Sequence, residues 1–127
     1  MAASKHLPES ELDIMLVVWQ AGGSLTAPAI LEGLERKLTA SALHSYLKRL
    51  EEKGFLSCLK QGKVNCYTPL VSREEYQRSE GASLLKKLYN NSLSHFAAAL
   101  YHGKKVEKEE LEQLRALLDR LSGEDGV

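Results

Sequence analysis

At Gly54 the spacing of apolar residues switches from a helical repeat to a strand repeat, and at Ser72 it switches back. This double change confines the strands to one short hairpin set between helical regions. Three helical stretches precede the switch. The first, Glu11 to Gln20, carries Leu12, Met15, Val18 and Trp19 at helical spacing, with Glu9, Glu11 and Asp13 in the opening turns, where carboxylates favour the helix dipole. Ala21, Gly22 and Gly23 stop it. The second is capped by Thr26, holds Pro28 in its first turn, sets Ile30, Leu31 and Leu34 on one face, and is expected to end near Lys37. The third runs from about Thr39 to Lys53, with Leu43, Leu47 and Leu50 as its buried stripe. At about 100° per residue, Ser41, His44, Ser45, Lys48 and Glu52 project from the opposite side, with Ala42 and Arg49 on one flank.

After Gly54, the runs Phe55 to Lys60 and Lys63 to Thr68 read as two strands joined by Gln61-Gly62, and Pro69 ends the second. Three helices and then a basic-tipped hairpin make the layout of a winged helix-turn-helix, whose third helix enters the major groove while the hairpin touches phosphates. A Ser72-x-x-Glu75 capping box then opens a helix reaching about Asn90, with Gly81 as a place for a bend. Ser92 to Tyr101 forms another helix, and Glu107 to Leu121 a last one whose Leu111, Leu114, Leu118 and Leu121 repeat at 3, 4 and 3. Such a stripe needs a partner; together with Leu84 and Leu88 it is assigned to dimerisation. Gly123 to Val127 reads as a frayed tail. The expected fold is thus mainly α with a small β-hairpin wing: a winged-helix DNA-binding domain over residues 1–71 and a helical dimerisation domain over 72–127.

The 127 residues carry seventeen basic and seventeen acidic side chains, so overall charge does not mark a nucleic-acid binder, and the distribution has to carry the case. It is uneven. From Arg36 to Lys63, seven basic residues stand against Glu51 and Glu52, a net +5, which leaves −5 for the remainder. A basic third helix and wing bind phosphates, while the acidic remainder suppresses non-specific adhesion. The plainer reading is a solvated charged face. The tip Lys60-Gln-Gly-Lys63 and the small outward Ser41 and Ser45 favour DNA, because small residues let a helix approach base edges.

No apolar run approaches the roughly 20 residues that span a bilayer, and Met1 to Leu7 lacks a signal-peptide pattern, so a cytoplasmic protein with no membrane association is expected. Neither a nucleotide-binding glycine loop nor a hydrolase or metalloprotease motif occurs, so no catalytic machinery, cofactor or metal is expected. Cys58 and Cys66 are the two cysteines. A two-residue loop at Gln61-Gly62 sets Cys58 opposite Asn65; a three-residue loop through Lys63 sets the cysteines opposite each other, a thiol-switch geometry, although small hydrophobes packing a sheet are the commoner role. His95 and His102 lie about two turns apart and read as surface or interface residues, since two histidines do not make a metal site. Trp19 and Tyr67 read as core.

The residues also resemble a known family, the penicillinase repressors of the BlaI/MecI type and their CopY relatives. Leu7 to Trp19 (LPESELDIMLVVW) is similar to the family's S-x-x-E-L-x-V-M-x-x-x-W opening, Leu43 to Leu56 (LHSYLKRLEEKGFL) to T-V-x-T-x-L-x-R-L-x-x-K-G-x-L, and Lys60 to Pro69 (KQGKVNCYTP) to the wing motif K-x-G-R-x-x-x-Y-x-P. Similarity extends from about Leu7 to Leu121. It implies a homodimeric transcriptional repressor that sits on the half-sites of a palindromic operator in double-stranded DNA. The contact residues so expected are Ser41, Ala42, His44, Ser45, Lys48, Arg49, Lys60 and Lys63. Ser41-Ala42 replaces the usual Lys-Thr, and Ser45 the usual Thr, so a different target sequence is expected. Arg49, matching the family arginine, either pairs with an acid of the first helix such as Glu11 or binds a phosphate. The resemblance further implies release by a sensor-linked protease that cuts an Asn-Phe bond; the aligned bond is Ala99–Leu100, which keeps neither residue type. The CxC metal tail of the CopY branch is absent. A rival class is a winged-helix module that binds another protein.

Overall fold

A computed structural model describes residues 6–103 and 106–124. Its elements are α1 (Glu9–Ala21), β1 (Leu25–Thr26), α2 (Ala27–Gly33), α3 (Ala40–Glu52), β2 (Leu56–Gln61), β3 (Val64–Pro69), α4 (Arg73–Tyr89), α5 (Leu93–Gly103) and α6 (Lys108–Glu124). Helices followed by a wing, then three more helices, realise the expected class. The wing is a three-stranded antiparallel sheet in the order β1-β3-β2, because Leu25 and Thr26 pair with Tyr67 and Cys66. A strand of two residues is too short to show a period. Ser24 and Thr68 hydroxyls hydrogen-bond at 2.6 Å beside it.

The caps follow the sequence. Thr26 Oγ1 accepts from Ala29 N–H at 3.3 Å, Thr39 Oγ1 from Ala42 N–H at 3.1 Å, and Gly22 closes α1 with a φ of 77°. Ser72 and Glu75 form a reciprocal box: Glu75 N–H donates to Ser72 Oγ at 3.0 Å, and Ser72 N–H to Glu75 Oε1 at 2.9 Å. Ser92 caps α5 through His95 N–H at 3.0 Å. Between α4 and α5 the consecutive Asn90 and Asn91 both take left-handed φ values, 54° and 61°.

Two expectations change. Helix α2 ends at Gly33, not near Lys37, because Leu34 turns extended to carry its side chain into the core. The end of α2 also lies hard against α1: a Cβ on Gly33 would sit 2.8 Å from Val17 Cγ1. A β-branched side chain has little room to give. Gly33→Ala is therefore expected to lower stability by about 1 kcal/mol despite its better helix propensity, measured by urea denaturation.

The hairpin turn is Gly62-Lys63 rather than Gln61-Gly62, since Gln61 pairs with Val64 and Gly62 takes a φ of 67°. Glycine at the first central position suits a type II′ turn. The one-residue shift sets Cys58 opposite Tyr67 and Cys66 opposite Leu59. Alternation then sends the two thiols to opposite faces of the sheet, so neither expected pairing is realised and a Cys58–Cys66 switch on the wing is removed. Cys58 packs against the core. There it approaches Tyr67, whose phenol burial and the Cys58 hydrogen bond push up to about 12.

The core of this region gathers Leu7, Ile14, Met15, Val18, Ile30, Leu43, Leu47, Leu50, Phe55, Leu56, Tyr67, Val71 and Tyr76. Trp19, half-buried, donates its indole N–H to Val71 O at 2.9 Å and stacks obliquely on Tyr76 at 5.7 Å. Tyr76 also meets Phe55 edge-on, and its hydroxyl accepts from Leu7 N–H at 3.0 Å. The opening turns of α4 are thereby packed with the winged region, and the chain divides into two compact units between Ser83 and Leu84. In the second unit, α6 continues to Glu124; the rest of the tail expected from Gly123 to Val127 lies outside the described residues, as do Met1 to Lys5. Among the described residues no helix is long and apolar enough to cross a membrane.

Candidate nucleic-acid interface

Leu43, Leu47 and Leu50 pin α3 to the core, which leaves Ser41, His44, Ser45, Lys48 and Arg49 exposed in one strip. Ala42 is half-buried on the flank. Beyond Gly54, Phe55 and Leu56 at the entry to β2 are fully buried, so the wing is anchored to the same core as α3. Lys60, Gln61, Gly62 and Lys63 stand exposed at its tip.

The fate of the seven basic residues between Arg36 and Lys63 divides them cleanly. Lys37 Nζ donates to the carbonyls of Leu31 (3.4 Å) and Glu32 (3.1 Å), capping α2. Arg36 Nη2 donates to Ser10 Oγ at 2.9 Å. Lys53 Nζ donates to Glu11 Oε1, and Glu11 is only 1% exposed. Three cations thus serve the fold. Lys48, Arg49, Lys60 and Lys63 remain exposed, and among the described residues none of them has a carboxylate partner.

Arg49 does not pair with Glu11, one of the two alternatives the sequence left open; Lys53 takes that acid. The guanidinium instead lies over the Tyr46 ring, 5.7 Å from its centroid. The signal for Glu11 was its place three, four and seven positions before Ile14, Met15 and Val18, outweighed by the rarity of a buried carboxylate. Ile14, fully buried, was the apolar residue missed on α1.

In the second unit, Leu84, Leu88, Leu111, Leu114, Leu118 and Leu121 are all exposed, by 41% to 66%. Leu93, Leu100, Tyr101 and Leu117 extend the apolar surface, unassigned by the heptad reading. Between α5 and α6 lies a groove of about 700 Å³ lined by Ala97, Leu100, Tyr101, Leu111 and Leu114 among others. Ala99 and Leu100 fall inside α5. His95 meets Tyr89 edge-on at 5.5 Å and His102 meets Tyr101 at 6.2 Å. Among the described residues no three His, Cys, Asp or Glu side chains are grouped to hold a metal.

Comparison with known proteins agrees with this geometry. The family model described as penicillinase repressor matches residues 7–120. The penicillinase repressor of Bacillus licheniformis is 27% identical over 116 residues, 90% of each chain. The methicillin resistance regulatory protein MecI of Staphylococcus aureus (strain N315) is 20% identical over 117 residues, 91% of this chain and 94% of its own. The monomeric form of Bacillus licheniformis BlaI, solved in complex with the blaP half-operator, superposes with a TM-score of 0.51 at 27% identity, over 60% of this chain and 94% of that one. With a winged helix whose unpaired cations sit on α3 and the wing tip, and a family match reaching into all six helices, the chain belongs to the penicillinase repressor family, transcriptional repressors and not enzymes.

Proposed function

We propose that the chain represses transcription in the cytoplasm as a homodimer on a palindromic operator. One observation supports this above others. Of the basic residues between Arg36 and Lys63, those whose charged ends are not engaged by a protein acid, carbonyl or hydroxyl among the described residues are on α3 and the wing tip. Ser41, His44 and Ser45 reach base edges, Lys48 and Arg49 bind at the groove wall, and Lys60 and Lys63 hold phosphates. The exposed leucines of α4 and α6 bring two copies together with their recognition helices about 34 Å apart, one turn of DNA. BlaI of Bacillus licheniformis in complex with the blaP half-operator supports DNA as the partner. Release through a sensor-linked protease acting at Ala99–Leu100 requires that α5 first unwind, since cleavage favours exposed loops over helices.

The test is selection of bound duplexes from a random pool, followed by titration of wild type and the Lys48→Glu/Lys63→Glu variant across salt. The variant is expected to bind every sequence more weakly, with a salt slope shallower by about one for each lysine at each half-site. Unchanged binding would favour the rival, a module that recognises another protein.

A further inference from the structure

Tyr46 is the aromatic residue of α3, and it stands between the buried stripe and the outer strip. Its ring is half-buried and packs against the core beside Leu43, Leu47 and Leu50. Arg49, one turn along, is exposed and spreads over the outer side of that ring at 5.7 Å, within the roughly 6 Å over which a cation and a π face attract. The ring is the partner the structure gives this guanidinium among the described residues.

The chemistry of that partner matters. A carboxylate would orient Arg49 by neutralising it and would occupy the planar fork that recognises phosphate. An aromatic face orients the guanidinium from one side, leaves its full charge, and leaves the N–H groups at its edge free for a bidentate contact. Glu11, the acid that could have competed for it, is taken by Lys53. We infer that Tyr46 is a positioning residue for DNA binding: its ring holds Arg49 at the flank of α3, charged and pre-oriented, for a backbone phosphate at the groove wall. A flexible arginine would lose side-chain freedom on binding, and a stacked one has already lost it. The inference rests on the reading that α3 faces DNA.

The experiment uses the full chain and a fluorescein-labelled duplex recovered from the random pool, with anisotropy titrations across salt. Tyr46→Leu is expected to weaken binding about two- to fivefold, while Tyr46→Phe, which keeps the ring, binds as wild type. Arg49→Ala is expected to flatten the salt slope by about one per half-site. In the Arg49→Ala background, Tyr46→Leu should then cost nothing more, because the two act as a unit. Thermal melts establish that each variant is folded at the temperature of the titration. The inference is overturned if Tyr46→Leu binds as wild type, if Tyr46→Phe is equally impaired, or if the leucine variant loses as much without Arg49 as with it. A wild-type chain that binds no duplex overturns the repressor reading and this inference together. Wild-type binding with an unaffected Tyr46→Leu overturns this inference alone.

Discussion

Lys53→Met is expected to destabilise the winged unit by about 3–5 kcal/mol, the range for breaking a buried pair by removing one partner. Glu11 is 1% exposed, and Lys53 supplies its counter-charge from the end of α3. Without the ammonium, a carboxylate is left in the core between α1 and α3 with no compensating charge. Glu11→Gln is expected to be milder, because the Lys53 side chain is 25% exposed and its ammonium can reach water. The double variant Glu11→Met/Lys53→Met should recover much of the loss, since an apolar pair of similar volume is often as stable as the ions it replaces. Chemical denaturation of the three variants checks the order. A Lys53→Met protein as stable as wild type would show that the pair is structurally idle. Either way, Lys53 is not available to DNA, so its loss should leave the salt slope of the folded protein unchanged.

The second large effect concerns the leucines of the C-terminal unit. Leu114→Glu/Leu118→Glu is expected to convert dimers to single chains in light scattering and to lower affinity for the full palindrome by about 10² to 10⁴, the gain that linking two binding modules confers. Both residues are more than 40% exposed in the single chain, and fully burying a leucine stabilises by about 1.5–3 kcal/mol before ordering costs. Four acidic groups at one interface remove that gain and add repulsion. Binding to an isolated half-site should change little, which separates lost dimerisation from a damaged winged unit. A variant that remains dimeric, or that grips the palindrome as tightly, refutes the assignment of this stripe.

The order of helices and wing was legible because glycine, threonine and proline mark their ends by local chemistry. Thr26 and the Ser72–Glu75 box cap the helices they were expected to cap, and Thr39, where the third helix was expected to start, caps α3. Local patterns failed where a distant residue decides. Glu11 reads as a solvated first-turn acid until Lys53, 42 positions away, arrives beside it. Leu34 continues the spacing of Ile30 and Leu31, yet it enters the core from extended backbone, so spacing alone carries α2 too far. The wing turn differs by one residue, and the pairing by two, because Gln61-Gly62 and Gly62-Lys63 both place glycine in a tight turn; the pairing with Tyr67 and its burial decide between them. Within the interface, spacing alone separated the exposed strip of α3 from its buried stripe. It did not sort the cations, because Arg36 and Lys53 are taken by Ser10 and Glu11, 26 and 42 positions away.

The corner at Asn90 and Asn91 carries a consequence for how this sequence can vary. Two adjacent L-residues in the left-handed well form a conformation that β-branched or bulky side chains resist, whereas asparagine, aspartate and glycine tolerate it. Drift at these sites is therefore biased towards those few residues. A valine at either one would disturb the join between α4 and α5 while leaving the apolar packing around it intact, a backbone veto that a survey of tolerated codons would reveal.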